Sequence, residues 1–109
     1  MNKGSTEIIK GSLTLIILEI LSKNEEYGYS LAQAIRSGTK DLLKAGEGTL
    51  YPALYKLEKD GYIKSEWKAE FTPKRKYYTI TKKGRGLLKL QKEEWSTFIN
   101  IIQDYLIQN

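Results

Sequence analysis

The chain of 109 residues has no cysteine and no histidine. Together these absences remove disulfides, thiolate nucleophiles, zinc-finger ligand sets and histidine acid–base catalysis. There is no glycine-rich phosphate loop. The carboxylates are scattered on helical stretches among basic neighbours rather than paired, so the sequence argues against an enzyme. No run is apolar enough to cross a bilayer: the longest, Leu13 to Leu18, is broken by Thr14. No signal-peptide layout opens the sequence, which makes a cytoplasmic location the expectation. An RNA reader would be expected to carry an aromatic sheet platform, and here only Tyr62, Trp67, Tyr77 and Tyr78 on one hairpin are available.

What remains is a chain of single-domain length, 40% hydrophobic and 28% charged, an ordinary soluble composition. Its net charge of +5 is unevenly spread. Between Lys40 and Lys92 fourteen Lys/Arg stand against six Asp/Glu, while the rest carries four against seven. Basic charge gathered on one segment points to a polyanionic partner.

That segment contains the stretch around which the sequence is organised, Gly46 to Gly61. Leu50, Leu54 and Leu57 recur at helical spacing and form a narrow apolar stripe. Thr49, Tyr51, Tyr55, Lys56 and Lys59 fall outside it. Glu47 and Thr49 offer acceptors for a first helical turn, and Pro52 places the helix start near residues 47–49. Gly61 stops the helix. Taken alone, this is either a surface amphipathic helix or a helix equipped for a DNA major groove.

Upstream, Ser5 or Thr6 is positioned to cap a first helix. Ile9, Leu13, Ile16, Ile17, Ile20 and Leu21 follow at helical spacing, with Ile8, Leu15 and Leu18 on other faces. A helix apolar nearly all round needs cover on more than one side, and a partner subunit would supply it. Ser22 to Glu26 reads as a polar loop. Tyr27-Gly28-Tyr29-Ser30 then leads into a second helix with Leu31, Ala34 and Ile35 inward and Gly38 at its end. Leu42 and Leu43 anchor the connector to the central helix, which completes a helix-turn-helix order.

Downstream, Tyr62–Trp67 and Lys74–Ile80 read as two strands around a loop from Lys68 to Pro73. Lys74, Arg75 and Lys76 make this hairpin either a wing on phosphates or an edge guarded by lysines. Thr81 caps a last helix. In that helix Leu88, Gln91, Trp95, Phe98, Ile102 and Tyr105 follow one another by three or four residues, a heptad-like seam that favours a two-fold dimer. A protein-interaction module would account for this seam but not for the basic centre.

Several motifs resemble the PadR family of transcriptional regulators. They are Gly11-Ser12-Leu13, Tyr27-Gly28-Tyr29, the run from Gly48 to Leu54, Asp60-Gly61-Tyr62-Ile63, and Arg75-Lys76-Tyr77-Tyr78 with Thr81 and Gly84. The single last helix is similar to the short branch of that family. The resemblance implies an α+β, mostly α fold: a winged helix-turn-helix over residues 1–80 and a dimerisation helix over 81–109. It implies a homodimeric repressor on an inverted-repeat duplex operator, without a cofactor, metal or membrane. By motif position, Thr49, Tyr51, Tyr55 and Lys56 inherit groove and nearby phosphate contacts, and Lys74, Arg75 and Lys76 the wing contacts. Tyr29 and Ser30 stand where hydroxyls can reach a phosphate, although Tyr29 serves equally as packing. Ile9, Leu13, Leu88, Trp95, Phe98, Ile102 and Tyr105 are the expected dimer contacts. Glu94-Trp95-Ser96 is similar to the stretch that in multidrug-responsive members stacks flat aromatic compounds. Trp95, with Ile16, Phe98 and Ile99, is therefore either such a ligand site or dimer packing.

Overall fold

The computed structural model describes residues 3–43 and 46–108, with the side chains of 3–10 and of Glu47 outside the description. Helix α1 (Lys3–Lys23) is followed by β1 (Glu26–Tyr27), α2 (Gly28–Gly38) and α3 (Glu47–Lys59). The hairpin β2 (Ile63–Lys68) and β3 (Arg75–Ile80) comes next, then α4 (Lys82–Ile107). This is the expected winged helix-turn-helix with a long last helix.

Leu50, Leu54 and Leu57 of α3 are all buried, so its three-four stripe faces the core as the spacing requires. Around them close Ile17 and Leu18 of α1, Leu31 and Ile35 of α2, and Ile63 and Ile80 of the hairpin. Gly61, at φ +84°, lets the chain leave α3 in the left-handed conformation, and Tyr62 N–H then donates to Leu57 C=O at 2.9 Å. The sheet is antiparallel in the order β1-β3-β2. β2 pairs with β3 from Ile63↔Ile80 at the base to Lys68↔Arg75 at the tip. The base is sewn to α4 by Thr81, whose hydroxyl donates to Gly61 C=O at 2.7 Å and accepts the Gly84 amide at 3.0 Å.

Several expectations need correction. α1 begins at Lys3, upstream of Ser5 and Thr6, so neither caps it. Gly46, not a side chain, is the N-cap of α3; Glu47 and Thr49 lie inside the helix, and Pro52 sits in its second turn. There Pro52 withholds an amide from Gly48, whose missing Cβ and exposure make the gap tolerable. Ala32 rather than Ala34 is buried in α2. Leu43 anchors the connector, but Leu42 is 73% exposed, because Lys40 and Asp41 turn the chain at φ 51° and 64°. β1 was unexpected: Glu26 and Tyr27 pair with Tyr78 and Tyr77, adding a third strand to the hairpin.

Candidate nucleic-acid interface

Because α3 buries only its leucine stripe, Thr49, Tyr51, Tyr55 and Lys56 all remain exposed along one side of the molecule. The wing lies beside them, held by local chemistry. Ser65 of β2 donates to Glu58 of α3 at 2.5 Å, which fixes the angle between helix and hairpin. Tyr78, buried at the same joint, has its hydroxyl pushed above the ordinary value of 10.0, chiefly by burial with Glu58 second.

Strand alternation sorts the wing residues. Ile63, Ser65 and Trp67 share a face with their partners Ile80, Tyr78 and Lys76. At the base this face meets the core. At the tip the core has ended, and Trp67 and Lys76 face a groove of ≈ 470 Å³ shared with Tyr29, Tyr51 and Lys74. The opposite face carries Lys68, Arg75 and Tyr77. There Arg75 lies 4.4 Å from the Tyr27 ring and 4.2 Å from that of Phe71, and Lys68 lies 4.5 Å from the ring of Tyr77. Lys68 also pairs with Glu25, which raises its ammonium above the ordinary value. These contacts hold the loop and tip of the wing against β1.

The expected contact residues therefore divide. Tyr51, Lys74, Arg75 and Lys76 line one groove, and Thr49, Tyr55 and Lys56 stand exposed on the same helix as Tyr51. Arg75 is half-buried between two rings, so part of its role is internal. Ser30 departs from expectation: its hydroxyl donates to Tyr27 C=O at 3.0 Å and accepts the Tyr27 amide at 3.1 Å, so its proton is already used at the start of α2. Tyr29 is exposed, its hydroxyl accepting from Gln33 at 3.0 Å and keeping its own proton to give. Trp67, in none of the expected contact sets, is 62% exposed and lines the same groove. Its parity with Ile63 and Ser65 was the signal that could have placed it there.

The α4 seam also divides. Leu88 is 7% exposed and Leu13 is buried as well, so both pack inside their own chain and offer nothing to a partner. The side chain of Ile9 lies outside the described residues. Trp95 is half-buried near Gly11 of α1 and meets Phe98 edge-on at 6.5 Å. Beyond it Phe98, Ile99, Ile102 and Tyr105 are all exposed, with Phe98 at 58% and Tyr105 at 70%. Ile16 packs, partly covered, against the core. Among the described residues no helix is long and apolar enough to cross a membrane, and no acidic cluster suits a metal.

Residues 17–90 match the Transcriptional regulator PadR-like family. A solved transcriptional regulator from Clostridium thermocellum is 40% identical with a TM-score of 0.83, over 90% of this chain and 96% of its own. A PadR family transcription regulator from Clostridium difficile is 32% identical with a TM-score of 0.77, over 87% and 98%. A transcriptional regulator of Mycobacterium tuberculosis is 33% identical over 75% of this chain and 74% of its own length. These relatives are regulators rather than enzymes, and this chain belongs to the PadR-like family of transcriptional regulators.

Proposed function

We propose that the chain is a cytoplasmic repressor that binds an inverted-repeat duplex operator as a homodimer. Residues 1–80 make the DNA contacts and 81–109 supply most of the dimer seam. The observation that carries this reading is the juxtaposition of the open face of α3 with the inner face of a basic wing, around one groove. Thr49, Tyr51, Tyr55 and Lys56 reach into the major groove, while Lys74 and Lys76, with the outer edge of Arg75, meet the backbone. Most such contacts position the protein rather than read bases. The exposed apolar side chains of Phe98, Ile99 and Ile102 on α4 support dimerisation, since contiguous exposed apolar surface of this kind marks an interface. Anisotropy titration with labelled duplex from upstream of the protein's own reading frame tests the reading. Tight, saturable binding to an inverted repeat is expected, and binding no stronger than to scrambled duplex would refute a specific operator.

A planar aromatic effector at Trp95 is the finer part of this proposal. Two features support it. Trp95 and Phe98 border a surface hollow with Gln91 and Glu94, and Gln91 Oε1 is buried there without a hydrogen bond. A dimer would bring a second copy of these rings to the seam. Tryptophan emission titrated with a flat cationic dye should quench in the wild type, and Trp95→Ala should lose dye affinity by calorimetry. Unchanged affinity would leave Trp95 a packing residue.

A further inference from the structure

The tryptophan of the wing is left largely uncovered by its own chain. A core-facing indole is normally covered, yet Trp67 stands 62% exposed where the shared face of β2 and β3 runs past the end of the core. Directly across the strand pair is Lys76, whose ammonium is 6.0 Å from the indole ring and 5.8 Å from the ring of Tyr78. Tyr29, Tyr51 and Lys74 line the same groove. The lining is aromatic and cationic, with Lys74, Arg75 and Lys76, and no carboxylate lines the groove among the described residues.

The geometry points to a channel for one sugar–phosphate strand of duplex DNA, in which Trp67 is a positioning contact. Its flat face packs on deoxyribose, its indole N–H donates to a phosphate, and Lys76 neutralises that phosphate or its neighbour. A DNA strand is favoured over a small aromatic guest because the groove is open and lined by cations of one sign, Lys74, Arg75 and Lys76, which suits a continuous polyanion. A neutral planar guest would leave Lys74 and Lys76 without counter-charge. The inference rests on the duplex-binding reading above, and adds to it that the wing acts through its inner face and through a neutral side chain.

The distinction is measurable because Trp67 carries no charge. Trp67→Ala should weaken binding to mixed-sequence duplex and to an operator alike, by roughly tenfold for a lost hydrogen bond to a charged group with its packing. The slope of log affinity against log salt should stay at the wild-type value, because no counterion release is lost. Lys76→Ala should lower that slope instead. In the wild type, saturating mixed-sequence duplex at low salt should quench part of the tryptophan emission and shield it from acrylamide. Trp67→Phe should still bind labelled duplex but lose both optical changes, Trp95 alone remaining. Duplex bound by anisotropy with tryptophan accessibility unaltered, or altered equally in Trp67→Phe, would overturn the channel while leaving DNA binding intact. Absence of duplex binding by the folded wild type would overturn both. Circular dichroism melts of the variants should match the wild type, because the exposed indole contributes little to the core.

Discussion

The hydroxyl of Tyr51 on α3 presses against the bare Cα of Gly28 at the start of α2, so closely that a Cβ there would collide with it. The same Cβ would lie 3.1 Å and 3.2 Å from the ring atoms Cζ and Cε1. Helix α3 is thus keyed to α2 through a side chain that also lines the groove beside the wing. Gly28→Ala is expected to push the partly exposed Tyr51 ring outward rather than unfold the chain. The fold should lose about 1–2 kcal/mol of stability, within the range for overpacking. Duplex affinity should fall by a larger factor than Tyr51→Phe causes. Wild-type affinity in Gly28→Ala would show that the position of Tyr51 does not matter to binding.

Gly84 is less forgiving. A Cβ there would strike the carbonyl of Tyr62 and lie 2.7 Å from Ile80 Cγ1, and neither neighbour is the end of a flexible chain. Gly84→Ala should therefore cost about 3 kcal/mol or more and lower the urea midpoint strongly. Retention of the wild-type midpoint would mean that the joint between wing and α4 is looser than described.

The proposed dimer seam has an equally direct test. Ile102 is exposed on the same face of α4 as Phe98, one turn further along. Ile102→Lys should yield a folded monomer by sedimentation at micromolar concentration, with helical content by circular dichroism preserved. A wild-type protein that sediments as a monomer under the same conditions would remove the seam from the account.

Glu19 of α1 lies 2.5 Å from Lys92 of α4 and 3.3 Å from Lys23. The Lys92 hydrogen bond, aided by Lys23 and opposed by desolvation, holds the Glu19 carboxyl below its ordinary 4.5. A carboxyl lowered in the folded state stabilises it fully above the unfolded value and ceases to do so as pH falls through the folded one. Lys92→Gln should thus cost at most about 1 kcal/mol near neutral pH. In strong acid, where Glu19 is protonated in both states, it should cost almost nothing. Equal losses in urea melts at both pH values would show that the ion pair is not the cause.

How much was legible in the sequence follows from the range of each interaction. The leucine stripe of α3 and the cap at Thr81 are local patterns, and both stand where the spacing puts them. The tyrosines and lysines outside the stripe are exposed for the same reason. What escaped depends on distant partners. Two residues of β1 are too few to show a period, and they become a strand only because Tyr77 and Tyr78 lie beside them. Arg75 looked like a free wing cation, but Tyr27, one of the two rings it packs on, comes from β1, far back in the chain. Leu88 belonged to the seam by spacing, yet whether α1 or a partner covers a seam residue is a tertiary question, and α1 and its core neighbours cover it.

The central claim, that α3 and the wing hold duplex DNA, is tested most directly by the salt dependence of binding in Lys74→Ala and Arg75→Ala. Lys74 is exposed, whereas Arg75 is packed between Tyr27 and Phe71. For roughly 6–10 neutralised phosphates per dimer, wild-type log affinity should fall with a slope of about −5 to −9 against log salt. Lys74→Ala should reduce the magnitude by up to about two per dimer, one charge being lost from each subunit, at unchanged thermal stability. Arg75→Ala should also reduce it but lower the melting temperature, because the wing loses its aromatic clasp. A flat salt response in the wild type, or full-strength operator binding by the double Lys74/Arg75 alanine variant, would contradict the account.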